Sequence, residues 1–253
     1  LDDDVVGALA DQQEELRRLV ADSDEVELLA PTRCPGWSAA DVLLHLAQTN
    51  EAAVASVAGE LGEFRLGPVD DAAPGDVDGL ADAAVAAERD QGPGAVRDRW
   101  LRSAEAQVAA FAGCDPHERV LWVAGDMAAR TLATTRLAES WIHTVDVASA
   151  YGDLPAPTDR LWHIARLAWR TVPYAFVRAG RQLSAPVAFE LSGPGGRAWS
   201  FRPTEETADR TVVRGTAADL CEVAGQRAEA AATGLVAEGP DAADVLRLVR
   251  TFA

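Results

Sequence analysis

"LAESWIHTVDVASAYG", residues 137–152, decides the reading of this chain. Leu137, Trp141, Ile142, Val145 and Val147 recur at helical spacing, so the stretch predicts an amphipathic helix, stopped by Gly152 and Pro155. Within it Glu139, His143 and Asp146 fall at i, i+4 and i+7 and project from one face. Apolar bulk surrounds that polar line. On a helix packed in a bundle, such a line commonly builds a site between helices.

A second histidine poses the same question. In "PGWSAADVLLHLAQTNEAA", residues 35–53, His45 sits among Leu43, Leu44 and Leu46. An imidazole in an apolar run costs free energy unless its nitrogens find partners. Glu139 and His143, one turn apart, suit a zinc-type ion, with His45 as third ligand. Ligand distances would be ~2.0–2.2 Å, and two nitrogens with one oxygen leave an open fourth position, as in catalytic rather than structural zinc sites. Asp146 would then accept the free N–H of a ligating histidine. An ordinary alternative stays open on spacing alone: a surface Glu–His pair worth ~0.2–0.5 kcal/mol beside a packed core histidine.

Outward from these helices the pattern is mainly α. Apolar positions repeat over residues 3–21, and Ser38 with Asp41 predicts a capping box opening a helix to about residue 58. Residues 62–79, rich in glycine and proline, read as a loop. A helix follows over 80–112, weakened or broken at "QGPG", 91–94. Asp126 is the expected cap of the helix over 127–151, and a further helix covers 158–180. "APVAFELSGPGGRAWSFRP", residues 185–203, alternates around a glycine-rich turn and predicts a β-hairpin. "RTVVRG" predicts a short strand, and residues 216–231 and 240–253 read as helices separated by "GLVAEG". The expected organisation is a helical bundle over 1–182 and a small α+β domain over 183–253.

Composition excludes several classes. Forty acidic against 23 basic residues give a formal charge of −17, which disfavours nucleic-acid binding. Every basic residue is arginine, so Schiff-base and P-loop lysine chemistry is absent from the chain. Cys34, Cys114 and Cys221 form no CxxC pair, and Cys34 reads as a packing residue. No apolar run approaches a membrane span and no basic-then-apolar leader opens the chain. A cytoplasmic monomer or homodimer is expected.

"TRCPGWSAADVLLHLAQTNEAA" (32–53) and "RLAESWIHTVDVASAYG" (136–152) resemble the two metal-binding blocks of the mycothiol-dependent maleylpyruvate isomerase family, within the DinB-like superfamily. "VVRGTAADLCEVAGQR" (212–227) is similar to its C-terminal segment. The resemblance covers nearly the whole chain in order. It implies a DinB-like four-helix bundle with His45, Glu139 and His143 as ligands of zinc or another divalent transition metal. It further implies mycothiol as co-substrate and a small electrophilic metabolite as substrate, in isomerisation or S-transfer. A basic residue from the C-terminal domain would reach the substrate or thiol, with Arg227 as first candidate and Arg214 as second. His163 is a candidate for lining the pocket. "RLWHIARLAWRTVPYAF" (160–176) departs from the better-known isomerases, which points to a separate subgroup. Two rivals share the same ligands: a thiol-independent metal lyase, hydrolase or cyclase, and a non-catalytic metal or small-molecule binding module.

Overall fold

The structure is a computed structural model that describes residues 3–62, 77–123, 125–204 and 210–251. It divides into two compact units, Asp4–Pro155 and the segment from Ala156 onward.

In the first unit four long helices pack together: α1 (Val5–Val20), α3 (Ala39–Val57), α5 (Pro93–Gly113) and α6 (Ala129–Tyr151). Short helices α2 (Glu25–Leu28) and α4 (Val77–Glu88) lie between them in sequence. Local chemistry sets the ends. Asp4 caps α1 by accepting the Gly7 N–H at 2.8 Å. The Ser38 hydroxyl and Asp41 carboxylate cap each other's backbone in the capping box at the start of α3. Pro93 opens α5 after Gly92, so the expected break in the 80–112 helix is real, with a 3₁₀ turn over Arg89–Gln91 between α4 and α5. Of the expected loop over 62–79, residues 63–76 lie outside the described residues, and Val77 already begins α4.

Asp126 does not cap α6. Met127–Ala128 (β2) pairs antiparallel with Arg119–Val120 (β1), and the helix begins after it. The first helical N–H groups are instead satisfied by backbone: Ala129 donates to the Glu118 carbonyl at 2.8 Å and Arg130 to the Pro116 carbonyl at 3.0 Å. At the other end Gly152, at φ 75°, closes α6 in the left-handed conformation.

The bundle core contains Leu9, Leu16, Leu43, Leu46, Trp100, Leu132 and Leu137, all essentially inaccessible. It also holds a buried polar layer. Gln107 donates to Asn50 at 2.8 Å and accepts from Gln13, which also donates to Ser140, while Gln12 donates to Thr144. These bonds tie α1 and α5 to the faces of α3 and α6.

The second unit contains α7 (Leu161–Arg178), strands β3 (Val187–Ser192), β4 (Ala198–Phe201), β5 (Thr211–Thr216) and β6 (Val236–Glu238), and helices α8 (Ala217–Ala224) and α9 (Ala242–Leu248). The sheet order is β4-β3-β5-β6, with β3 and β5 parallel and the outer pairs antiparallel. The expected hairpin is β3–β4. Gly193 is required in its turn, because a Cβ there would fall 2.4 Å from the Trp199 ring. "GLVAEG" contains an edge strand, β6, where the sequence suggests only a connection. The units divide at residue 155, whereas the sequence reading put the change at 182. The difference is α7: Trp169 donates to the Val187 carbonyl at 2.8 Å, and Trp162 and Trp169 pack on Phe201 of β4. The architecture is mainly α with a small α+β region. Among the described residues no helix is long and apolar enough to cross a membrane.

Candidate metal centre

Helices α3 and α6 pack against each other, and their facing stripes carry the chemistry. From α3 come His45 and, one turn later, Thr49. From α6 come Arg136, Glu139, His143 and Asp146. Glu139 Oε2 lies 3.9 Å from His45 Nε2 and 3.6 Å from His143 Nε2, and these three donor atoms lie within 4.8 Å of one another. The imidazole centroids are 5.0 Å apart at 70°.

His143 is oriented from behind. Its Nδ1 is 3.0 Å from Asp146 Oδ2, and Asp146 is wholly buried. An ionised Asp146 requires the proton on Nδ1, which leaves the Nε2 lone pair of a neutral ring facing the Glu139 carboxylate. Two imidazole nitrogens turned toward one carboxylate oxygen need a proton or a cation between them. This donor set, with its tautomer fixed by a carboxylate, fits a divalent transition ion.

Charges at the site follow the same logic. Burial pushes the Glu139 carboxyl up, but the facing His143 and His45 nitrogens and the nearby charges of His143 and Arg136 outweigh it and hold Glu139 well below the usual range. Burial pulls His143 down, yet hydrogen bonds to Asp146, Cys34 and Glu139 keep it well above an ordinary histidine. His45 is depressed to about 4, first by burial, with His143 and Arg136 adding to the shift.

The loop before α3 covers this pair. In "CPGW", Gly36 at φ 78° follows Pro35 and the Trp37 N–H bonds the Cys34 carbonyl at 3.1 Å, a type II arrangement that explains the Pro-Gly step. The turn sets the Trp37 ring 5.2 Å from His45 and 6.4 Å from His143. Cys34 Sγ donates to Asp146 Oδ2 at 3.1 Å and lies 3.9 Å from His143 Nδ1. Arg33 approaches the other Asp146 oxygen at 4.0 Å. A cavity of about 420 Å³ opens beside the turn, lined in part by Thr32, Cys34, Trp37, Leu44 and Arg89.

Cys34, Trp37 and Arg136 are therefore neighbours of the centre that the sequence reading did not assign to it. Arg136 is 3% exposed; its Nη2 donates to Thr49 Oγ1 at 2.7 Å and its Nε makes no hydrogen bond. Its signal in the sequence was position: three residues before Glu139, on the same face. The remaining candidates belong to the second unit. Arg214 ion-pairs with Glu190 at 3.0 Å and Glu238 at 2.8 Å. Arg227, half-buried just beyond α8, donates to the Gly225 carbonyl at 3.1 Å. His163 is buried edge-on against Trp162.

Fold and centre together define a helical-bundle protein with a His–Glu–His donor set on two facing helices. Residues 9–148 match the family model described as mycothiol maleylpyruvate isomerase N-terminal domain. The chain belongs to this family, one named for an enzyme. Uncharacterized protein Rv0036c of Mycobacterium tuberculosis (strain H37Rv) is 32% identical over 249 residues, covering 98% of this chain and 95% of that protein. Its counterpart in strain CDC 1551, uncharacterized protein MT0041, gives the same figures. The crystal structure of the mycothiol-dependent maleylpyruvate isomerase has the same fold, with a TM-score of 0.61 at 18% identity and 96% of each chain covered. A histidine-to-alanine mutant of that enzyme matches at 17% identity and the same TM-score.

Proposed function

We propose that this protein is a metal-dependent enzyme that uses mycothiol to isomerise a small electrophilic metabolite, or that joins the mycothiol thiol to it by S-transfer. The observation that carries the reading is the convergence of His45, Glu139 and His143 inside the segment that matches the family model. His45 and His143 through Nε2 and Glu139 through its carboxylate would hold the ion. Zinc suits these donors first, and cobalt, nickel and iron accept the same set. When bound, the ion supplies the Lewis acidity that ionises a thiol, whose free pKa is about 8.5.

The chain's own residues do the rest. Asp146 holds the His143 proton on Nδ1, so that Nε2 keeps its lone pair. Trp37 packs over the His45 and His143 rings and holds them in place. In isomerisation the thiolate sulfur bonds to one alkene carbon of the substrate, and the double-bond electrons move into the conjugated carbonyl. The former double bond rotates; the C–S bond then breaks and the alkene re-forms in the trans geometry, returning the thiolate. S-transfer stops after addition and protonation, or displaces a leaving group. The family resemblance assigns an acidic group of substrate or thiol to Arg227, since a guanidinium grips carboxylates through two parallel hydrogen bonds. Arg214 is the weaker candidate because two glutamates already occupy it.

The test is turnover of maleylpyruvate, followed by ultraviolet absorbance, with zinc-loaded and chelated protein, with and without mycothiol. Isomerisation that needs both supports the proposal. Metal-dependent turnover of an electrophile in the absence of any thiol would replace it with Lewis-acid chemistry. Arg227→Lys should keep its metal yet react poorly, since lysine retains the charge but not the planar fork.

A further inference from the structure

Arg136 is a full positive charge in the bundle interior, next to the place where the proposal above puts a dication. Such placement is costly, because a buried charge without full pairing loses its hydration. Its hydrogen bonding is incomplete: Nη2 reaches Thr49 Oγ1, and Nε has no acceptor. Thr49 in turn donates to the His45 carbonyl at 2.9 Å, so Arg136 is fixed to the backbone that carries one donor. It also lies at i, i+3 from Glu139, about 5–6 Å between Cβ atoms.

We infer that Arg136 is a positioning residue that sets the charge of the centre, so that the open position on the metal selects an anion over a neutral ligand. The inference rests on the metal-centre reading. The Glu139 and Asp146 carboxylates would offset a bound dication, and Arg33, 4.0 Å from Asp146, offsets that carboxylate in turn. Arg136 adds a further buried positive charge three residues from Glu139, and this excess favours an anion in the fourth position. A thiolate meets that requirement; a neutral thiol, an amine or water does not. On this account Arg136 reduces metal affinity and raises anion affinity, opposite signs that a purely structural role would not produce.

The probes are Co²⁺ and azide, titrated by visible absorption into wild-type protein, Arg136→Gln, Arg136→Lys and Thr49→Val. Arg136→Gln is expected to bind Co²⁺ on the order of a hundredfold more tightly and, once loaded, azide about tenfold more weakly, since at an effective dielectric of about 20 a unit charge roughly 10 Å away acts on a dication with twice the energy it exerts on a monoanion. Arg136→Lys and Thr49→Val keep the charge and should stay within about threefold of wild type, well inside that Coulomb effect. Arg136→Met is the second neutral variant should Arg136→Gln fail to fold. Cobalt binding that is weakened or unchanged in the neutral variants, or azide affinity that does not fall, overturns the inference while leaving the metal centre standing. Wild-type protein that takes up no cobalt overturns the centre itself and the inference with it.

Discussion

Asp146 offers a sharp perturbation because it supports His143 from behind without being one of the three proposed ligands. It is fully buried, 3.0 Å from His143 Nδ1, and accepts the Cys34 thiol at 3.1 Å. Asp146→Ala removes the oxygen that both groups share. His143 can then move its proton to Nε2, the atom that faces Glu139, and each ion bound must displace it. Loss of such a supporting carboxylate costs ~10–100-fold in metal affinity, about 1.4–2.7 kcal/mol. Separately, loss of the buried acceptor shared by Cys34 and His143 lowers folding stability by about 1–3 kcal/mol. Asp146→Asn keeps an acceptor oxygen but no charge, so its losses should be smaller. Zinc affinity is read by competition against a chromophoric chelator, and stability by urea unfolding of metal-free protein. Zinc affinity within about twofold of wild type in Asp146→Ala would refute the argument, since the supporting-carboxylate range begins near tenfold.

Three further outcomes follow from other contacts. His45 is depressed from 6.5 to about 4, so between those values the unfolded chain binds the proton and the folded one does not. Metal-free protein should therefore lose stability as pH falls through this window, by up to about 1.4 kcal/mol per pH unit from this group, and His45→Gln should flatten the slope by that amount; equal slopes would contradict it. Gln107→Leu strands the Asn50 carbonyl and one Gln13 N–H bond in the polar layer, and should cost about 1–3 kcal/mol in urea unfolding. Cys221 is fully buried, and burial raises its thiol well above the ordinary value, so iodoacetamide should label it only after denaturation, by mass spectrometry of peptides.

The sequence made some of this legible for definite reasons. Glu139, His143 and Asp146 share a stripe because helical periodicity alone places them there, and Ser38–Asp41 marks a helix start whose chemistry is local. The hairpin at Gly193–Gly196 is equally local. What was not legible depends on contacts between distant segments. Cys34 meets Asp146 across 112 residues, through a turn whose side-chain direction no periodicity encodes. Arg136 stands three residues before Glu139, but its burial follows only from the packing of α3 against α6. The start of α6 was misread because Asp126 is a good capping residue, yet the β1–β2 pairing supplies backbone acceptors instead. α7 looked like another bundle helix, since an apolar stripe does not say which partner it will cover, and β6 is too short to show alternation.

The central claim, that His45, Glu139 and His143 form a metal centre, is tested most directly by metal content. Protein purified from zinc-supplemented medium is analysed by plasma mass spectrometry beside the His45→Ala/His143→Ala variant, with circular dichroism confirming that both are folded. The account predicts about one equivalent of divalent transition metal per wild-type chain and well below that in the variant, because one carboxylate holds such an ion poorly. A folded double variant that retains the full equivalent, or a wild-type chain that binds none, would contradict it.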